Sequence, residues 1–265
     1  MTKHDPASKS SETAARQHET AIEIDAPIEE VWKAITDAAA IARWFAPKMT
    51  VEPGVGGFVI ADWGQGIEWK TTIEIWEPNR RLRLVETRDH FIGASLVAET
   101  FEPCRLIQDY YLDSAGGKTV LRLVHSGFGS GENWDIEYEG TRGGWAGRFL
   151  RMKLGLEQHR EESVHSTFLT WTCQGRGYAE VLRQIESATV SPLDVRLRGQ
   201  YHFCAVLPDL NDSVLNVSVQ PCTVGSMAYI EALLYGPAGE RAEGFESEWK
   251  ARLASLFPPV AASHG

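Results

Sequence analysis

Cysteine is scarce. The four residues Cys104, Cys173, Cys204 and Cys222 are widely scattered, with no C-x-x-C pair. Structural zinc needs clustered ligands, and a disulfide framework belongs to small secreted chains, so buried free thiols in a cytoplasmic protein are expected. Long apolar runs are missing as well. No segment approaches the roughly 20 apolar residues that span a bilayer. The opening stretch carries Lys3, Lys9 and Arg16 without an apolar centre, so no secretory signal is expected there. Basic charge is also in short supply: 26 Lys and Arg stand against 36 Asp and Glu, a net charge of −10. The resulting field repels phosphate and argues against nucleic acid or an anionic membrane as partner.

Familiar catalytic and metal signatures are absent too. The eight histidines form no H-x-x-x-H or H-x-H pair, so no metal and no cofactor are expected. Gly127-Phe128-Gly129-Ser130-Gly131 hints at a phosphate loop, but no Lys-Ser/Thr follows. Glu132, Asp135, Glu137 and Glu139 instead crowd the next helix start, which would repel phosphate while favouring the helix dipole. Ser130 does not stand in a G-x-S-x-G elbow, so a serine hydrolase has no support. The abundant feature is aromatic, with nine Trp, ten Phe and seven Tyr. At 43% hydrophobic and 23% charged, the chain is globular and these rings need something to pack against.

Periodicity divides the chain. Residues 1–18 read as a disordered tail. Ile22, Ile24 and Ala26 alternate with acidic residues as in a half-buried strand, and Pro27 suits the first position of a helix. Ile28, Val31, Trp32 and Ile35 then form one apolar helix face, and a second short helix carries Ile41, Trp44 and Phe45. From Val51 to Ser126 the period is two, with strands expected at Thr71–Trp76, Leu82–Thr87, Leu96–Phe101, Leu106–Leu112 and Thr119–His125. This reads as an antiparallel meander. The helical period returns with Trp134, Tyr138, Thr141, Trp145, Phe149, Met152 and Leu156. Beyond Glu162–His165, His165–Cys173 reads as a strand and Tyr178–Ile185 as a helix. Three strand-like runs follow around Val195–Val206, Val214–Val219 and Met227–Tyr235, and a helix spans Ala242–Phe257. Both long helices carry E-G-x4-W-x-x-R-[FL], at Glu139 and Glu243. A duplication and a chance match on a shared helical pattern both remain open.

The order strand, two small helices, meander and long helix is that of the helix-grip fold, an α+β architecture. The stretch from Ile24 to Trp32 opens as members of the START/SRPBCC superfamily do. Arg43-Trp44-Phe45, Glu77-Pro78-Asn79-Arg80-Arg81-Leu82, His125-Ser126-Gly127-Phe128 and Gly144-Trp145 with Leu150 resemble successive landmarks of one branch. That branch is named for similarity to the activator of the heat-shock protein 90 ATPase. The resemblance implies a helix-grip domain over 19–162 and does not extend beyond it; periodicity gives a smaller α+β domain over 163–260, and 261–265 read as a tail. It implies a fold far more than an activity, since relatives bind lipids, cyclise polyketides or act as partners of chaperones.

A helix held across a curved sheet leaves an apolar cavity. Trp44, Phe45, Trp69, Phe91, Trp134, Tyr138, Trp145 and Phe149 are the aromatics expected around it, with core packing as the competing role. His125 shares strand parity with Leu121 and Leu123, and Glu99 with Val97 and Phe101; Tyr110 and Gln108 also face inward. Such a His and Glu could hold a polar ligand group or act as acid and base; they could equally satisfy each other at a cavity wall. Gly140, Gly143, Gly144 and Gly147 each cost a helix about 1 kcal/mol against Ala. Either the backbone approaches the sheet closely there, or the glycines leave room for a ligand. Arg80, Arg81 and Arg83 read as a solvated edge, or as an interface for an acidic protein. Three functions follow: a module binding a small apolar or amphipathic molecule, a cyclase- or dehydratase-type enzyme using the same cavity, or a module docking on a chaperone or a second copy.

Overall fold

The computed structural model describes residues 16–64, 66–87, 105–189 and 192–258. Phe91, Glu99, Cys104 and the strand expected at Leu96–Phe101 lie outside the described residues.

The first strand, β1 (Arg16–Ile24), starts before the expected end of the tail, so Arg16, Gln17 and His18 are sheet residues. They pair with β7, where His18 stands opposite His125. Pro27 sits one position before α1 (Ile28–Thr36) rather than inside it, with φ −58°. Val31, Ala34 and Ile35 form the buried face of α1, and α2 (Ala38–Ala42) follows, capped by the Asp37 carboxylate on the Ala40 N–H at 2.9 Å. The meander comprises β2 (Lys48–Glu52), β3 (Phe58–Gly64), β4 (Ile67–Glu77), β5 (Arg81–Thr87), β6 (Arg105–Ala115) and β7 (Lys118–Phe128). Its strands and β1 make an antiparallel sheet ordered β1-β7-β6-β5-β4-β3-β2. Near the end of β7, Gly127 has φ +98°, and a Cβ there would lie 2.2 Å from the Arg105 carbonyl oxygen, so only glycine fits.

Helix α3 (Glu132–Glu157) lies across this sheet, with Trp145, Phe149 and Met152 in the same core as Leu121 and Leu123. The helix-grip expectation holds.

The arginine cluster does not form an edge. Strand β5 lies between β4 and β6, and its Arg81 and Arg83 both clasp Asp109 of β6, at 3.0 and 2.6 Å. Arg80 is within 3.7 Å of Glu77. Arg81 and Arg83 thus share one carboxylate, while the Arg80 side chain stays exposed.

The second unit repeats the order in shorter form: β8 (Val164–Gln174), α4 (Tyr178–Ser187), β9 (Asp194–Arg198), β10 (His202–Leu207), β11 (Ser213–Cys222), β12 (Gly225–Tyr235) and α5 (Ala242–Leu256). The run expected around Val195–Val206 is two strands, broken at 199–201. The sheet order is β8-β12-β11-β10-β9, so here too the first strand pairs with the last and a long helix follows.

The centre of this second sheet is buried on both faces. Phe203, Ala205, Leu215 and Val217 pack with Val181, Ile185, Trp249 and Leu253 from α4 and α5. Cys204, Val206, Val214, Leu233 and Tyr235 join the core around α3. Every residue of β10 is buried, which explains its continuous apolar run. The layers are therefore sheet, α3, sheet, and the α4–α5 pair. Helix α3 belongs to both units.

Candidate functional site

A cavity of about 260 Å³ lies where the three inner layers meet. The first sheet supplies Trp63, Trp69, Glu86 and His125, and α3 supplies Thr141, Gly144, Trp145 and Arg148. The second sheet closes it with Phe168, His202, Asn216, Tyr229 and Glu231. Rings form one continuous part of the wall: Trp63 and Trp69 are 6.5 Å apart, Trp69 and Trp145 6.4 Å, and Trp63 and Phe168 6.5 Å.

The helical glycines serve two purposes, and their spacing separates them. A Cβ on Gly143 would come within 2.0 Å of the His202 ring, and one on Gly147 within 2.9 Å of Asn216 Oδ1. One on Gly140 would lie 3.0 Å from Gln220. These three let the helix backbone approach the second sheet. A Cβ on Gly144 would meet nothing within 4 Å, because that position opens on the cavity.

Of the residues singled out from sequence, Trp69, His125 and Trp145 line this cavity. Trp44, Phe45 and Tyr110 surround a separate void of about 40 Å³ together with Trp69. Trp44 Nε1 donates to the Ala34 carbonyl at 2.8 Å, Phe45 stacks on Trp145 at 5.6 Å, and Tyr110 donates to Gln108 Oε1 at 3.2 Å. Phe149 is fully buried in the core. Trp134 and Tyr138 pack on Phe128 instead, and the Tyr138 hydroxyl donates to the Gln17 carbonyl at 2.9 Å. The second sheet's contribution was not visible in the sequence. Only the parity of Tyr229, Glu231 and Leu233 on one strand could have signalled it.

His125 is wholly buried, and its Nδ1 accepts a hydrogen bond from Trp145 Nε1 at 3.1 Å. Burial, assisted by nearby His18, holds its pKa well below the ordinary imidazole value. The ring is therefore neutral, and since Nδ1 is an acceptor, the proton sits on Nε2. Nε2 has no partner among the described residues; the same is true of Trp63 Nε1, Trp69 Nε1 and Asn216 Oδ1. An unsatisfied buried polar atom costs about 1–3 kcal/mol. The four residues that carry these atoms all line the cavity.

A buried ion cluster joins the units beside it. Glu231 accepts from Arg151 at 2.6 Å and lies 3.5 Å from Arg148. Burial alone would raise the Glu231 carboxyl, but the two guanidinium groups outweigh it and hold the pKa below the usual range. Arg148 also donates to the Phe45 carbonyl and lies over the Phe45 ring, 4.3 Å from its centre. Among the described residues, no three His, Cys, Asp or Glu side chains are grouped to hold a metal. No helix among them is long and apolar enough to cross a membrane.

A curved antiparallel sheet gripping one long helix, with a walled space beside that helix, defines a helix-grip protein of the SRPBCC type. The chain belongs to the family described as activator of Hsp90 ATPase homolog 1-like protein, whose model matches residues 25–157. Among solved structures, it is similar to protein MLL2253 from Mesorhizobium loti, at 23% identity and TM-score 0.46, over 54% of this chain and 98% of that one. The Aha1 dimer from Colwellia psychrerythraea matches at 17% identity and TM-score 0.43, over 54% and 97%. DynU16, a protein of the dynemicin biosynthetic locus, matches 91% of this chain and 97% of its own, at 18% identity and TM-score 0.44. No curated protein matches the chain.

Proposed function

We propose that the protein binds a small, largely apolar molecule in the cavity between its two sheets, with residues 19–162 and 163–260 supplying opposite walls. The observation that carries this reading is Gly144. A helix position that forgoes a side chain while facing open space leaves volume that a filled core would not leave. Aromatic area around that space would give affinity, and a few polar groups would orient the ligand. His125 suits binding better than acid–base catalysis, because a strongly depressed pKa makes it a poor base at neutral pH. Docking on a chaperone or a second copy has less support, because the second sheet covers the far face of α3.

Titration with N-phenyl-1-naphthylamine, a neutral fluorescent probe, tests the proposal. Wild type should bind it saturably, and Gly144→Leu should lose binding by at least tenfold while retaining its circular dichroism spectrum. A folded wild type without saturable binding would refute it.

A further inference from the structure

A second pocket, of about 320 Å³, lies where α1 and α2 meet the C-terminal half of α3. It shares no lining residue with the central cavity. Each of the three helices brings a small residue to it: Ala34, Ala40 and Gly155. A Cβ on Gly155 would find only the Tyr235 hydroxyl within 4 Å, at 3.8 Å, so the backbone there is loosely packed. The floor is apolar. Trp44 and Met152 are buried, and the Trp44 N–H is already bonded to the Ala34 carbonyl at 2.8 Å. The indole therefore has no polar group left to offer a ligand.

The rim differs in character. Its charged side chains are Glu30, Lys33, Arg43 and Arg160. Arg160 pairs with Glu30 at 2.8 Å, and the two charges cancel. Lys33 and Arg43 form no ion pair among the described residues. Arg43 gives Nη2 to the neutral carbonyls of His159, Arg160 and Glu162, which fixes the side chain without adding a counter-charge. Asp37, between α1 and α2, accepts from the Ala40 N–H and does not line the pocket. The lining thus carries two surplus positive charges, on a chain whose net charge is −10. Two such cations attract an anion jointly without touching the same atom, because Coulomb attraction falls only with the inverse of distance.

Floor and rim together select the ligand. A neutral apolar molecule would use the floor and leave the cations unanswered. A small hydrophilic anion would leave the floor unused and keep its hydration in water. The volume is near the lower end of the roughly 300–1,000 Å³ of small-molecule sites, and a buried floor admits a slender chain rather than a protein surface.

We infer that this pocket is a second binding site, for a small monocarboxylic acid whose apolar chain lies on Trp44 and Met152 and whose carboxylate is held by the charge of Lys33 and Arg43. This site does not depend on what the central cavity holds.

Calorimetric titration at pH 7 with octanoate, 1-octanol and acetate tests it. These supply chain and charge, chain alone, and charge alone. In Gly144→Leu, where the central cavity is filled, octanoate should bind at least tenfold more tightly than 1-octanol, and acetate should not saturate. Lys33→Glu, a change at a partly exposed helix position, should weaken octanoate at least tenfold and leave N-phenyl-1-naphthylamine binding within about twofold. Octanoate binding that survives Lys33→Glu, that disappears in Gly144→Leu, or that only equals 1-octanol would overturn the inference, as would no saturable binding of octanoate. In each case N-phenyl-1-naphthylamine binding to wild type decides the central-cavity proposal separately. If Gly144→Leu does not fold, the comparison of Lys33→Glu with wild type decides alone.

Discussion

At the scale of single residues, the buried polar groups dominate the behaviour to be expected. Glu231 pairs with both Arg148 and Arg151, and Arg151 is 1% exposed. Glu231→Ala would leave two guanidinium groups facing each other away from water, and breaking such a pair costs about 3–5 kcal/mol. Urea unfolding should show a loss of that size; a change under about 1 kcal/mol would mean the arginines find other partners. The histidines give stability a pH dependence. Burial, reinforced by Arg142 and opposed by Glu139, lowers His18 to about 4, and His125 is depressed by burial and by His18. Both are thus neutral when folded at pH 7, and the unfolded chain binds protons that the folded chain refuses. Their contribution is complete above the ordinary imidazole value near 6.5 and is lost as pH falls toward about 4. The melting temperature should therefore drop between pH 7 and pH 5, and His18→Gln should make that drop smaller. A melting temperature unchanged over this interval in wild type would contradict the assignment.

At the scale of elements, α3 is the informative one. Its aromatic stripe was legible because Trp145, Phe149 and Met152 recur at helical spacing, and it does face the first sheet. Its glycines were legible only as a cost. Sequence alone cannot tell a glycine that admits a neighbour from one that leaves space, since both look the same along the chain. The structure separates adjacent positions: Gly143 meets the His202 ring, and Gly144 meets nothing. Alanine substitutions should consequently have opposite signs. Gly144→Ala should gain up to about 1 kcal/mol from helix propensity. Gly143→Ala should lose stability, because a Cβ 2.0 Å from an imidazole forces the ring or the helix to move. Paired chemical denaturation curves check this, and equal shifts in both variants would count against the packing described.

At the scale of the whole molecule, the two units share α3 and a clamped connection. Arg43 Nη2 donates to the carbonyls of His159, Arg160 and Glu162 at 2.8, 3.2 and 3.0 Å. His159 stacks on Tyr235 with ring centres 3.9 Å apart. The second sheet has one face on α3 and would expose Cys204, Val206, Val214 and Leu233 without it. The full chain should therefore unfold in a single transition, and residues 163–258 expressed alone should not fold to a stable monomer. Arg43→Ala should speed proteolysis at residues 158–163 severalfold without dividing the melt. Two separate calorimetric transitions, or two stable fragments after cleavage at the connection, would show that the units are independent.

What the sequence determined by itself is what depends on neighbours in the chain. Alternation set the strands of the first sheet, helical spacing set α1 and α3, and a run of local motifs from Ile24 to Leu150 identified the fold. Strand parity also put His125 on the side of Leu121 and Leu123. The tertiary structure decided which surfaces meet. Arg151 and Glu231 are 80 residues apart, and Trp63 and Phe168 belong to different sheets, so no periodicity links them. Burial on both faces of β10 also removes the alternation that would have announced which of its residues face α3. The far wall of the cavity therefore became visible only once the two sheets closed on one helix.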